Sequence, residues 1–98
     1  MFHHIAMFRF KDGVSDATVA EVRRDLLALP AQVAPIKEYK VGRDAGLSDG
    51  TWDFVVVAGF DHAAGYKEYA TNPDHLAVVK RILTLVSDRA AVQSGELG

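Results

Sequence analysis

Apolar and polar residues alternate along Phe2–Phe10 in the way a half-buried strand requires. The even positions Phe2, His4, Ala6, Phe8 and Phe10 form one nearly continuous apolar face, while the odd side carries Ile5 and Met7, then Arg9. Asp12-Gly13 ends the strand with turn chemistry. Ser15 then fits an N-cap, and Val19, Val22, Leu26 and Leu29 recur at helical spacing until Pro30 stops the helix. After Pro35, Ile36–Val41 reads as a second strand, and the Gly- and Asp-rich segment 42–50 as a mobile loop. Trp52–Phe60 is the clearest strand, with Trp52, Phe54, Val56, Ala58 and Phe60 on one face and Val55 and Val57 on the other. A short helix is expected over His62–Ala70, capped by Asp61.

Pro73 has no amide proton and disfavours the helical conformation at Asn72, so that helix must end near Thr71. Asn72 is then N-cap, Pro73 the first, Asp74 the second and His75 the third residue of another helix, expected to run to about Val86. Its apolar stripe is read as Leu76, Val79, Leu83 and Val86, and a weak final strand as Arg89–Ser94. The order β-α-β-β-α-β predicts an α+β, ferredoxin-like domain with two helical segments over one face of a four-stranded antiparallel sheet. The helices cover one sheet face only. Ile5, Met7, Val55 and Val57 lie on the other, and an uncovered apolar patch of this kind points to a homodimer closed face to face.

Ninety-eight residues are enough for one domain, 1–98, and a hydrophobic fraction of 49% is enough for one core. A net charge of −2 offers no concentrated basic face for nucleic acid. No apolar run is long enough to span a membrane, the first residues lack a signal peptide's basic and apolar segments, and there is no cysteine. A cytoplasmic protein is the expectation. The sequence holds no phosphate loop, nucleotide fingerprint, nucleophile elbow or metal-ligand spacing, so neither cofactor nor metal is expected. His3 and His62 have no evident partner.

Candidate chemistry gathers at the corner Tyr69-Ala70-Thr71-Asn72-Pro73-Asp74-His75. A neutral imidazole at a helix N-terminus can serve as a base, and a tyrosine across the corner can donate to a developing oxyanion. The plain alternatives are a histidine filling the turn and a tyrosine packed on the sheet with its hydroxyl at the surface. His4, on the apolar face of the first strand, is a core or pocket-lining residue. Phe8, Phe10, Val56, Leu26 and Val22 are its expected companions, first as core and then as the wall of a small apolar or aromatic ligand's cavity.

That corner, together with His4-Ile5-Ala6-Met7-Phe8-Arg9-Phe10-Lys11, resembles the stress-responsive A/B barrel (Dabb) domain family. The likeness extends over almost the whole chain, including Val41-Gly42-Arg43 and Phe60-Asp61. The resemblance implies a dimeric α+β barrel, in a family most of whose members have no established activity. One branch comprises cofactor-independent polyketide cyclases that close a linear chain by intramolecular aldol condensation. By position, their catalytic tyrosine falls on Tyr69, their catalytic histidine on His75, and the histidine of the first strand on His4. This chain departs from the common pattern at Asn72, where many members carry histidine, and in the small residues Ala90-Ala91 of its last strand. Two readings stay open: a non-catalytic dimeric protein, and an enzyme using His75 as base and Tyr69 as hydrogen-bond donor. An open cavity reached by both side chains favours the second; a closed cavity with diverging side chains favours the first.

Overall fold

The computed structural model describes all of residues 1–98. The elements run β1 (Phe2–Phe10), α1 (Asp16–Leu27), a 3-10 turn (Leu29–Ala31), β2 (Glu38–Arg43), β3 (Phe54–Phe60), α2 (Ala63–Thr71), α3 (Pro73–Leu83) and β4 (Val86–Ser94). The sheet order is β2-β3-β1-β4, with every neighbouring pair antiparallel. This is the ferredoxin-like arrangement, with the helices on one side of the sheet. No helix is long and apolar enough to cross a membrane.

Register assigns every strand residue to a face, because successive side chains point to opposite sides of the pleat. His4, Ala6 and Phe8 of β1 align with Ala58, Val56 and Phe54 of β3, and with Gln93, Ala91 and Arg89 of β4. Tyr39 and Val41 of β2 continue those rows. This helix-facing side meets Val19, Val22 and Leu26 of α1, with Leu29 and Val33 beyond it, all almost fully buried. Each such side chain contributes roughly 1.5–3 kcal/mol by leaving water, which makes this layer the main source of stability. The N-cap of α1 is Ser15, whose hydroxyl accepts from the Thr18 amide at 3.1 Å.

The opposite face is uncovered. Two rows cross it, Val92–Ile5–Val57–Lys40 and Ala90–Met7–Val55–Gly42. Gly59 lies on the same face with His3 and Glu38 as its cross-strand neighbours. Lacking a side chain, it lets His3 and Glu38 lean together over β3, with Nε2 to Oε1 at 3.7 Å. A Cβ at Gly59 would stand 2.9 Å from Glu38 Cβ, which cannot swing aside, and 2.7 Å from the flexible Met1 Sδ. Gly59→Ala should therefore cost about 1–3 kcal/mol and lower the melting temperature by at least about 4 °C. An unchanged thermal melt would show that β2 absorbs the methyl group without cost.

Several boundaries differ from the sequence reading. α1 ends at Leu27, with Leu29 in the 3-10 turn before Pro30. α2 runs Ala63–Thr71 with His62, not Asp61, at its N-cap position and no side-chain cap bond, and β2 continues to Arg43. β2 begins at Glu38 rather than Ile36, because the Ile36 amide is held in a turn by the Val33 carbonyl while its side chain is buried, and the first bond to β3 comes only from the Lys37 amide to the Gly59 carbonyl. β3 begins at Phe54: the Asp53 amide donates to the Phe8 carbonyl while its carboxylate accepts from the Phe10 amide, which turns the chain. Trp52 thereby leaves the core face, and the Arg9 guanidinium lies 4.5 Å from its ring centroid. α3 ends at Leu83 rather than Val86, and Val86 opens a nine-residue β4. The register slips where Arg9 pairs with Asp88 but Phe10 with Val86, leaving Ser87 as an extra residue. That bulge broke the alternation that would have marked the start of the strand. The buried stripe of α3 is also different: Ile82 is buried and Val78 packs on the core, whereas Leu76 and Leu83 are about half exposed.

Candidate functional site

Asn72 makes the corner between α2 and α3. Its amide donates to the Tyr69 carbonyl, closing α2, and its side-chain oxygen accepts from the Asp74 amide at 2.9 Å, opening α3. Pro73 occupies the first helical position, where a missing amide proton costs nothing. The corner folds His75 back onto Tyr69, with ring centroids 3.9 Å apart and planes inclined by 33°.

Both rings line an open cavity of about 320 Å³ between the sheet and the helices, within the size range of small-molecule sites. Its apolar wall includes Ala6, Phe8 and Val56 from the sheet, Leu26 from α1, and Ile82 from α3. Leu76, Val79 and Leu83 edge the opening, which accounts for the exposure of the two leucines. A larger hollow of about 430 Å³ lies on the outer sheet face around Met7, Val55 and Trp52. Its lining contains no histidine or tyrosine, whereas Tyr69 and His75 both line the smaller cavity.

Of the expected pocket residues, His4, Phe8, Val56 and Leu26 line this cavity; Val22 and Phe10 do not. Val22 is sealed in the core, and Phe10 sits further along β1 against the Phe54 ring at 5.8 Å. The cavity also takes in Tyr66, one helical turn before Tyr69, and Arg89 of β4. Gln93 donates to the Tyr66 hydroxyl at 3.0 Å and lies 3.2 Å from His4 Nδ1. An amide nitrogen only donates, so this orientation of the Gln93 amide assigns Nδ1 as acceptor and the proton of neutral His4 to Nε2. Tyr39 completes the set from below, its hydroxyl 2.8 Å from that of Tyr69. Tyr39, Tyr66, Arg89 and Gln93 were absent from the sequence-derived site. Alternation in β2 and β4 could have placed Tyr39 and Gln93, since each shares a cross-strand row with the helix-facing residues.

Burial controls the protonation of the site. It lowers His4 to a pKa of about 4, assisted by the positive charge of Arg89 and by the proximity of His75. Burial likewise lowers His75, opposed by the carbonyls of Ala70 and Tyr69 and assisted by Arg89. These carbonyls are near the ring, yet His75 Nδ1 is buried without a hydrogen bond. Tyr69 is raised by burial, the hydrogen bond from Tyr39 acting against the shift, and Tyr39 is raised well beyond the usual phenol range by burial first. At neutral pH the cavity thus presents two neutral imidazoles and protonated phenols. Such groups can take a proton from a weak carbon acid and donate a hydrogen bond to the resulting oxyanion. No three histidine, aspartate or glutamate side chains converge to hold a metal ion.

Similar proteins share this architecture. A dimeric ferredoxin-like protein of unknown function from Thermobifida fusca is 41% identical, with 95% of this chain and 88% of that one covered at a TM-score of 0.88. A dimeric protein of unknown function from Bacteroides fragilis is 30% identical over 95% and 93% of the two chains, at a TM-score of 0.79. The hydroxynitrile lyase of Passiflora edulis superposes with a TM-score of 0.84 over 99% and 96%, but at 17% identity it shares the fold alone. No curated protein sequence matches the chain significantly. Residues 2–94 match the family described as the Stress responsive A/B Barrel Domain, nearly the whole length of the molecule. The chain belongs to the stress-responsive A/B barrel domain family.

Proposed function

We propose that two copies of this chain pack through their outer sheet faces, each keeping one helix-side cavity for a small, largely apolar ligand. The dimer is supported by the uncovered rows around Ile5, Met7, Val55 and Val57, and by the dimeric relatives at 41% and 30% identity. The ligand-binding part rests on one observation: an open, mostly apolar cavity with neutral His75 stacked on protonated Tyr69. A stress-linked role comes with the family's description alone.

The same pair favours a second reading, acid–base catalysis without a cofactor. His75 removes a proton from the carbon next to a carbonyl, and the C–H electron pair passes into the enolate. Tyr69 stabilises the oxygen on which that charge collects. The enolate carbon then attacks a second carbonyl of the same molecule, a C–C bond forms, and the new alkoxide recovers the proton. Nothing is oxidised or reduced in this sequence.

A histidine-resolved NMR titration tests both readings, on wild type and Tyr69→Phe, with neutral alkylphenols as probes. His75 should titrate below the usual histidine value of about 6.5, shift on adding the probe, and respond to loss of the Tyr69 hydroxyl. A His75 that titrates like free imidazole and ignores both changes would remove the catalytic reading. A probe that moves neither His4 nor His75 would remove the ligand-binding reading too.

A further inference from the structure

Arg89 is the one permanently charged side chain on the cavity wall, which contains no aspartate, glutamate or lysine. Register with Phe8 puts it on the helix-facing side of β4, and its exposure puts it at the opening. Its sequence neighbour Asp88 points to the other face, opposite Arg9. Of the other arginines, Arg43 pairs with Asp16, Arg81 with Glu21 and Asp25, Arg23 with the Val41 carbonyl and Arg9 with Trp52, while Arg24 stands on the exposed side of α1, away from the cavity. The Arg89 guanidinium has no carboxylate within 4 Å and makes no hydrogen bond. The imidazoles and phenols around it are uncharged, so its field is unopposed inside the cavity. A guanidinium offers a planar fork of donors that matches a carboxylate.

We propose that the cavity selects carboxylates: small aromatic or alkyl acids whose anionic group pairs with Arg89 at the mouth. The hydrocarbon body then lies on Phe8, Leu26, Val56 and Ile82, with any deeper oxygen within reach of the histidine and tyrosine groups. This rests on the ligand-binding reading given above and narrows it to a chemical class. A neutral ligand of the same shape would fill the same apolar wall but leave the guanidinium to water.

The test compares 4-propylbenzoate with 4-propylbenzamide, which differ little in shape but by one charge. Binding is read from the His4 and His75 ring signals at pH 7.5 and low salt. Wild type should bind the acid about tenfold more tightly than the amide, as one charge-assisted contact provides, and the margin should shrink with added salt. Arg89→Gln should lose that margin with the amide affinity unchanged, and Arg89→Lys should retain part of it. Equal binding of acid and amide by wild type, or a preference that survives in Arg89→Gln, would overturn the assignment while leaving the cavity as a ligand site. If neither compound moves the histidine signals, the ligand-binding reading falls and the assignment falls with it.

Discussion

Val57→Asp should convert the protein from a species sedimenting at about twice the 10.7 kDa of one chain into a monomer. Val57 lies at the middle of the row Val92–Ile5–Val57–Lys40 on the uncovered sheet face. In a two-fold dimer the substitution appears twice, placing two carboxylates in a contact made of valine, isoleucine and methionine. Burying an unpaired charge costs on the order of 3–5 kcal/mol, enough to weaken association about a thousandfold. The isolated subunit is spared, because position 57 lies on its uncovered outer face, where the new carboxylate stays hydrated. Circular dichroism should accordingly show intact secondary structure in the monomer. A variant that sediments like the parent would mean that the sheet face is not the interface.

Acid should destabilise the fold well before the carboxylates titrate. The pKa of His4 is about 4 in the folded protein against about 6.5 when unfolded. Between these values the unfolded chain binds more protons, so stability must fall as pH falls through this window and level off below it. His75 is displaced in the same direction and adds to the effect. The full His4 shift would amount to roughly 3 kcal/mol, and because its ring borders a cavity open to solvent we expect about 2 kcal/mol. The charged and titratable groups around His4 are Arg89, His75, Tyr66 and Tyr69, and none is a carboxylate able to rescue the imidazolium. Urea unfolding at pH 7.5, 6.0 and 5.0, at fixed protein concentration, should show the loss. His4→Gln keeps a hydrogen-bonding partner for Gln93 and should flatten the profile. An equally steep profile in His4→Gln would assign the acid sensitivity elsewhere.

The faces of β1 and β3 were legible because strict alternation leaves little freedom once one side is apolar. The α2–α3 corner was legible for a local reason, since Asn72-Pro73-Asp74 specifies a cap and a helix start without tertiary help. Where reading failed, a contact remote in sequence had decided the matter. Ser87 is extruded by pairing with β1, and Trp52 turns outward because Asp53 bonds to Phe8 and Phe10. Leu76 and Leu83 looked like core because they are leucines at helical spacing, but they border an opening that is not encoded locally. The cavity itself was the least legible feature. Arg89 enters it from β4, while Tyr39 and Gln93, on strands at opposite edges of the sheet, bond to Tyr69, Tyr66 and His4 of its wall, and only assembly of all four strands brings these groups together with α2 and α3.

The contact between the Tyr39 and Tyr69 hydroxyls has a consequence of its own. Two phenols 2.8 Å apart share one bridging hydrogen, and either oxygen can supply it. When Tyr39 supplies it, the hydrogen of Tyr69 is free to point into the cavity; when Tyr69 supplies it, Tyr69 presents only lone pairs there. Turning two O–H bonds is enough to change Tyr69 from donor to acceptor toward the cavity while every heavy atom stays in place. The wall around Tyr69 thus holds two hydrogen-bonding states at a single set of heavy-atom positions.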